Sequence, residues 1–116
     1  METINVNGKE YVAKQDTYKN KNNLDYVIVR WDRSWVFAGF LSEEDWQRIV
    51  LKQCRWIWRW YGAATIAELA NEGVNKPDDC MFPPVVDEYV VKDAIGYVKA
   101  TEKAYNSISN VKERNA

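Results

Sequence analysis

The sequence contains no histidine. That removes the commonest general base, most zinc sites and every Ser-His or Cys-His nucleophile pair. Glycine is scarce, at five residues in 116, and none sits in a P-loop, a G-x-G-x-x-G pattern or another phosphate cradle. The two cysteines, Cys54 and Cys80, have no CxxC spacing, so two buried free thiols in a reducing compartment are expected. The 16 Lys and Arg nearly cancel the 17 Asp and Glu, which is not the footprint of a polynucleotide binder; duplex nucleic acid is not an expected partner. No apolar run approaches the roughly 18 residues of a membrane span, and no signal peptide is visible. The expected location is cytoplasmic, without membrane contact. Acids do occur in pairs, at Glu43-Glu44, Asp78-Asp79 and Asp87-Glu88, but side by side at turns or strand starts, where solvated acids are ordinary. No catalytic residue, metal ligand or cofactor is assigned, and an enzyme is not expected.

What the chain has in excess is aromatic: six Trp and seven Tyr in one small domain. Such rings dominate cores and contact surfaces, and one small core rarely holds so many. They concentrate in the stretch from Gln53 to Gly62, where Trp56, Trp58 and Trp60 repeat with period two and Arg55 and Arg59 are interleaved. In a strand the three Trp share one face, and Arg55, Ile57, Arg59 and Tyr61 share the other. The Trp row is then the packing side, and the face with Arg55, Arg59 and Tyr61 is the place for a ligand. Lys52 extends that basic face, and Trp31, Arg33 and Trp35 around a hairpin turn form a second candidate patch. Arginine suits phosphate oxygens, and aromatic rings stack on bases or on a partner's side chains. Charge is uneven: residues 46–62 hold four basic side chains and no acid, whereas residues 63–94 hold seven acids and two lysines. That asymmetry fits self-association or a small anion site, or simply two solvated faces of opposite sign.

Along the chain, Asn7-Gly8 between alternating apolar residues predicts a hairpin of residues 3–6 and 10–13. Residues 15–24 are polar and rich in Lys and Asn, and read as a mobile connection. Asp25 to Trp31 and Trp35 to Leu41 read as two strands about a turn at Asp32-Arg33-Ser34; Gly39 marks a bulge or a close backbone approach. Residues 42–62 fit both a helical stripe and strands. Their β-branched and aromatic content favours strands, with Ser42 to Gln47 as a turn or short helical turn. A short helix follows over 63–72, with Thr65 as its cap and Gly73 closing it. Strands are predicted at 87–92 and 94–99, a last helix opens at Thr101, and 110–116 is a polar tail. The fold class is α+β in one domain spanning 1–116. Its sheet is mostly antiparallel, of about six or seven strands, rolled toward a barrel, with two short helices; the strand edges invite homo-oligomer contact.

The run from Arg55 to Ala104 resembles a family of small uncharacterised proteins of tailed bacteriophages and prophages. The likeness rests on an Arg-aromatic strand ending Trp60-Tyr61-Gly62-Ala63, a helix ending Glu68-Leu69-Ala70-Asn71-Glu72-Gly73, then Pro77-Asp78-Asp79-Cys80, two strands and Thr101-Glu102-Lys103-Ala104. It implies a phage accessory protein in an infected bacterial cell, acting by binding. Two targets follow: a small nucleotide immune signal held by a homo-oligomeric sponge, or a host defence protein. A structural or assembly role in the phage particle is the alternative.

Overall fold

Runs of β-branched and aromatic residues build the centre of this molecule, and two short capped helices cover one side of it. The computed structural model describes residues 3–6, 9–12, 17–31, 35–58, 60, 65–74 and 76–113. Its elements are β1 (Thr3–Val6), β2 (Lys9–Val12), β3 (Tyr26–Trp31), β4 (Val36–Asp45), β5 (Arg48–Trp56), α1 (Ile66–Glu72), β6 (Val86–Val91), β7 (Ala94–Lys99) and α2 (Glu102–Ser109). β1 and β2 form a two-stranded antiparallel sheet with Val6 opposite Lys9. The other five strands form one antiparallel sheet in the order β6-β5-β4-β3-β7. The α+β class is as expected. The turns at Asn7-Gly8 and at Asp32-Arg33-Ser34 lie outside the described residues.

Ser42 to Asp45 is strand, not the turn or short helical turn that the cap-like Ser42-Glu43-Glu44 had implied; the turn is confined to Trp46-Gln47. β4 runs on to Asp45 because Leu41, Glu43, Glu44 and Asp45 pair with Leu51, Val50, Ile49 and Arg48. Cross-strand pairing outweighs the local capping signal. The loop is only Trp46-Gln47, with Trp46 at φ 56°. At the far end β5 stops at Trp56, short of the predicted Tyr61.

The sheet is open, since its edge strands β6 and β7 share no ladder; the barrel expectation is corrected to a rolled sheet. Only Lys92 and Asp93 separate β6 from β7, and three peptide steps reach at most about 11 Å. Five flat strands would hold their edges roughly 19 Å apart. The sheet therefore curls until its edges meet at one end. There the Ala94 N–H donates to Gln47 O at 3.0 Å, Trp31 Nε1 donates to Lys92 O, and Tyr97 on β7 donates its hydroxyl to Glu44 on β4.

Each face of the roll has its own core. Inside it pack Val27, Val29, Phe37, Ile49, Leu51, Cys54, Val91 and Ala94, so residues of both edges meet in one cluster. On the outer face Tyr26, Ile28, Ala38, Phe40 and Ile57 meet Leu69 and Ala70 of α1, Ala104 and Ile108 of α2, and Phe82. Both cysteines are buried and not joined in a disulfide, one in each cluster.

The helices are too short to persist alone. Burying Leu69 and Ile108 completely contributes about 1.5–3 kcal/mol each. Two hydroxyls join the helices. Thr101 Oγ1 accepts from the Ala104 N–H at 3.2 Å, capping α2, and donates to Asn71 O of α1 at 2.7 Å. Ser107 Oγ accepts from Val74 N–H at 2.9 Å and donates to Val74 O at 2.7 Å. Thr65 caps α1 as predicted, accepting from Glu68 N–H.

Two polar stretches are better anchored than their composition implies. Within the connection expected to be mobile, Tyr18 donates its N–H to Ala100 O at 2.8 Å and stacks on Tyr105 at 4.3 Å between ring centroids. In the expected tail, Val111 is buried and Glu113 bridges Phe82.

Candidate functional site

β5 is the wall between two candidate sites. A bulge in its pairing with β4 falls between Ala38 and Phe40, opposite Gln53, which has φ 51°. Gly39 allows it: a Cβ there would lie 3.1 Å from Lys52 O and 3.2 Å from Cys54 Cα. Past the bulge, Cys54 and Trp56 turn into the roll, while Arg55 and Ile57 face the helices.

Inside the roll four Trp rings form a continuous row. Centroid distances are 5.3 Å for Trp31–Trp35, 4.7 Å for Trp35–Trp56 and 6.1 Å for Trp56–Trp58. Such spacing and tilt suit attractive aromatic pairs. Trp35 and Trp58 are each 42% exposed. Beside the row lies a cleft of about 280 Å³ lined by Trp35, Phe37, Cys54, Trp56, Pro83, Pro84, Val86 and Tyr89. Phe37 and Tyr89 stack at 4.9 Å in its floor. The cleft reaches β6, an edge strand whose Val86, Tyr89 and Val90 stay exposed. Burial pushes the Cys54 thiol up to about 12, so it is an inert apolar wall at neutral pH, not a nucleophile.

Arg55 lies on the opposite face and is 3% exposed. Its Nη1 donates to Ile108 O at 2.8 Å and its Nε to Pro83 O at 3.4 Å. The guanidinium sits 5.2 Å from the centre of the Phe82 ring. A cation at the last carbonyls of α2 suits that end of the helix dipole. Burial lowers the Arg55 pKa, opposed by Glu113 and Tyr26; arginine stays charged regardless. Nη2 is buried with no hydrogen-bond partner among the described residues. A cavity of about 170 Å³ adjoins Arg55, lined also by Tyr26, Phe40, Gln53, Val85, Tyr105 and Ser109.

The seven residues predicted to bind ligand are thus divided. Trp31 and Trp35 join the Trp row, in company with Trp56 and Trp58, which the sequence had assigned to packing. Arg55 is inside the protein, because α2 covers its face. Lys52 is exposed and paired with Glu88 at 2.7 Å across β5–β6; that hydrogen bond raises the Lys52 pKa and lowers the Glu88 pKa. Arg33, Arg59 and Tyr61 lie outside the described residues. The period-two Trp row holds for Trp56 and Trp58 and then breaks, since Trp60 packs with the helix-side cluster. Phe37, Tyr89, Pro83 and Pro84 escaped the sequence reading. Pro83-Pro84 was visible there only as an extended connection, and nothing local marks a proline pair as a cleft wall.

Among the described residues no group of three or more His, Cys, Asp or Glu could hold a metal ion. No helix there is long and apolar enough to cross a membrane. Residues 24–108 match the family model described as Domain of unknown function (DUF6948). No curated protein and no solved structure matches the chain.

Proposed function

The chain belongs to the DUF6948 family, and we propose that it is a non-enzymatic binding protein whose Trp-lined cleft receives an extended segment of a partner protein. The carrying observation is the row Trp31–Trp35–Trp56–Trp58 opening beside an apolar cleft at a sheet edge. An edge strand offers unpaired backbone groups to an added strand, and a neighbouring pocket reads its side chains. Trp residues ringed by such contacts are typical binding hot spots. The resemblance to small phage proteins would place this binding in counter-defence or host takeover, with a host defence protein as the target. A structural role in the particle would use the same surface for a virion partner.

A nucleotide sponge needs rings and phosphate-binding cations in one site. Among the described residues no cation lines the Trp cleft, and Arg55 lies on the opposite face of β5. The cavity at Arg55 holds about 170 Å³, below the roughly 300 Å³ at which pockets begin to take drug-sized ligands. The geometry therefore favours a peptide over a nucleotide.

Selection of displayed random peptides against the purified chain tests the reading. The expected result is enriched sequences with apolar side chains at alternate positions, whose affinity falls at least tenfold in Trp35→Ala. Enrichment indifferent to Trp35→Ala would refute it. So would a melting temperature raised by cyclic or ADP-ribose-derived nucleotides, with the rise abolished by the same variant.

A further inference from the structure

We infer that the cavity on the helix side of β5 is a binding site for a small oxyanion, a carboxylate or phosphate group, held by Arg55. The inference is independent of the peptide reading, because the cavity and the Trp cleft share no lining residue.

Three observations carry it. The first is the unsatisfied charge. A buried guanidinium is normally paired with a carboxylate, yet no ion pair joins Arg55 to one among the described residues. Two of its nitrogens meet neutral carbonyls, and Nη2 meets nothing there. The second is the lining. With Arg55 the lining includes the polar residues Tyr26, Tyr105, Gln53 and Ser109, and no carboxylate. The Ser109 hydroxyl donates to Tyr105 O, and the Gln53 amide reaches Asp87. The two Tyr hydroxyls make no hydrogen bond among the described residues and so remain as donors. The third is the backbone. Gln53 is a non-glycine residue at positive φ in a bulge beside Arg55; bulges recur where a side chain must be aimed, and such strain clusters at ligand sites.

Size sets the ligand. The cavity far exceeds the about 30 Å³ share of one water and accommodates a group of a few heavy atoms, or the head of a larger molecule whose remainder stays outside. Nη2 itself exposes under 1 Å², so entry needs the walls to part among Gln53, Val85 and Ser109, the exposed members of the lining. Glu113 stands at this rim, accepting from the Val85 N–H at 3.4 Å. It acts on Arg55 from a distance and competes electrostatically with any entering anion.

The test is an NMR titration of the full chain with sodium phosphate and, separately, sodium acetate, with ionic strength fixed by sodium chloride. Saturable shifts of the Arg55 Nε–H and the Val85 and Ser109 amides are expected with one of the two anions and not with chloride. Phosphate alone identifies a phosphate ligand, and acetate alone a carboxylate. Tyr105→Phe keeps the ring stacked and removes one donor, so affinity should fall about tenfold. Glu113→Gln should tighten binding, and it tests the inference even if Tyr105→Phe fails to fold. Shifts that never saturate overturn the proposal, as do saturable shifts that neither variant alters. If Glu113→Gln unfolds the protein, Glu113 is the structural counter-ion of Arg55, and the inference is wrong.

Discussion

Replacing Gly39 by Ala should destabilise the protein, whereas the same change at Gly96 should not. A Cβ on Gly39 would meet Leu51 Cβ at 3.1 Å, Lys52 O at 3.1 Å and Cys54 Cα at 3.2 Å, where ordinary contact is 3.4–4 Å. Two of these three atoms are backbone flanking the Gln53 bulge and cannot swing aside. Overpacking of this kind costs about 1–3 kcal/mol. The stiffer unfolded chain offsets about 0.4–1 kcal/mol of that, leaving a net loss of up to about 2.5 kcal/mol. At Gly96 a Cβ meets nothing within 4 Å, so only the favourable part remains, a gain of about 0.4–1 kcal/mol. Urea unfolding followed by Trp fluorescence measures both, with the denaturant slope unchanged if the folded state is intact. The atoms displaced by Gly39→Ala adjoin Cys54 and Arg55, so affinity at either site should fall with stability. Equal midpoints for the two variants would show that the close approach at Gly39 is not what holds the bulge.

Gly73 combines φ 75° with a Cβ position 2.5 Å from Ser107 Cβ, so Gly73→Ala should cost about 2–4 kcal/mol in the same unfolding assay and break the Val74–Ser107 hydrogen bonds. Trp46 is 91% exposed at φ 56°; Trp46→Gly relieves left-handed strain and should stabilise by about 0.5–1 kcal/mol, and a loss instead would show that Trp46 is covered in solution. Burial pushes the Cys54 thiol up to about 12, the hydrogen bond to Glu44 raises the Tyr97 hydroxyl to about 12, and burial raises Tyr26 too. Each group keeps in the folded state a proton that the unfolded chain loses, so this stability is complete below pH 9 and lost as pH rises toward 12. The melting temperature should fall from pH 9 upward, less steeply in Cys54→Val, and a flat profile would refute the assignment.

Much of the architecture is written locally. Thr65 and Thr101 cap the helices, and a β-branched run sets β3. The boundary that failed, Ser42 to Asp45, carries a local signal for one structure and a cross-strand register for another, and only the register sees β5. At the sites the limit is similar. Period two correctly separates Arg55 from Trp56, but not which face a helix will cover; α2 lies almost fifty residues further on and turns the expected outer face into the inner one. Cys54 and the prolines at 83 and 84 likewise acquire their roles only when the edge strand arrives.

The two-residue link between opposite sheet edges also sets an order of events. β3, β4 and β5 follow one another in both sequence and space, so this meander can zip up from local hairpins. β6 and β7 must then land on opposite margins of it, Val86 beside Cys54 and Lys99 beside Val27, with no slack between them. The segment from Val86 to Lys99 acts as a buckle fastened at the end of folding, and it stands only if both tongues engage. Until it closes, Val27, Val29, Leu51 and Phe37 face water. The slowest step in folding and the first in unfolding should therefore be the same one, and the Trp cleft, whose wall includes β6, exists only on the fastened side of it.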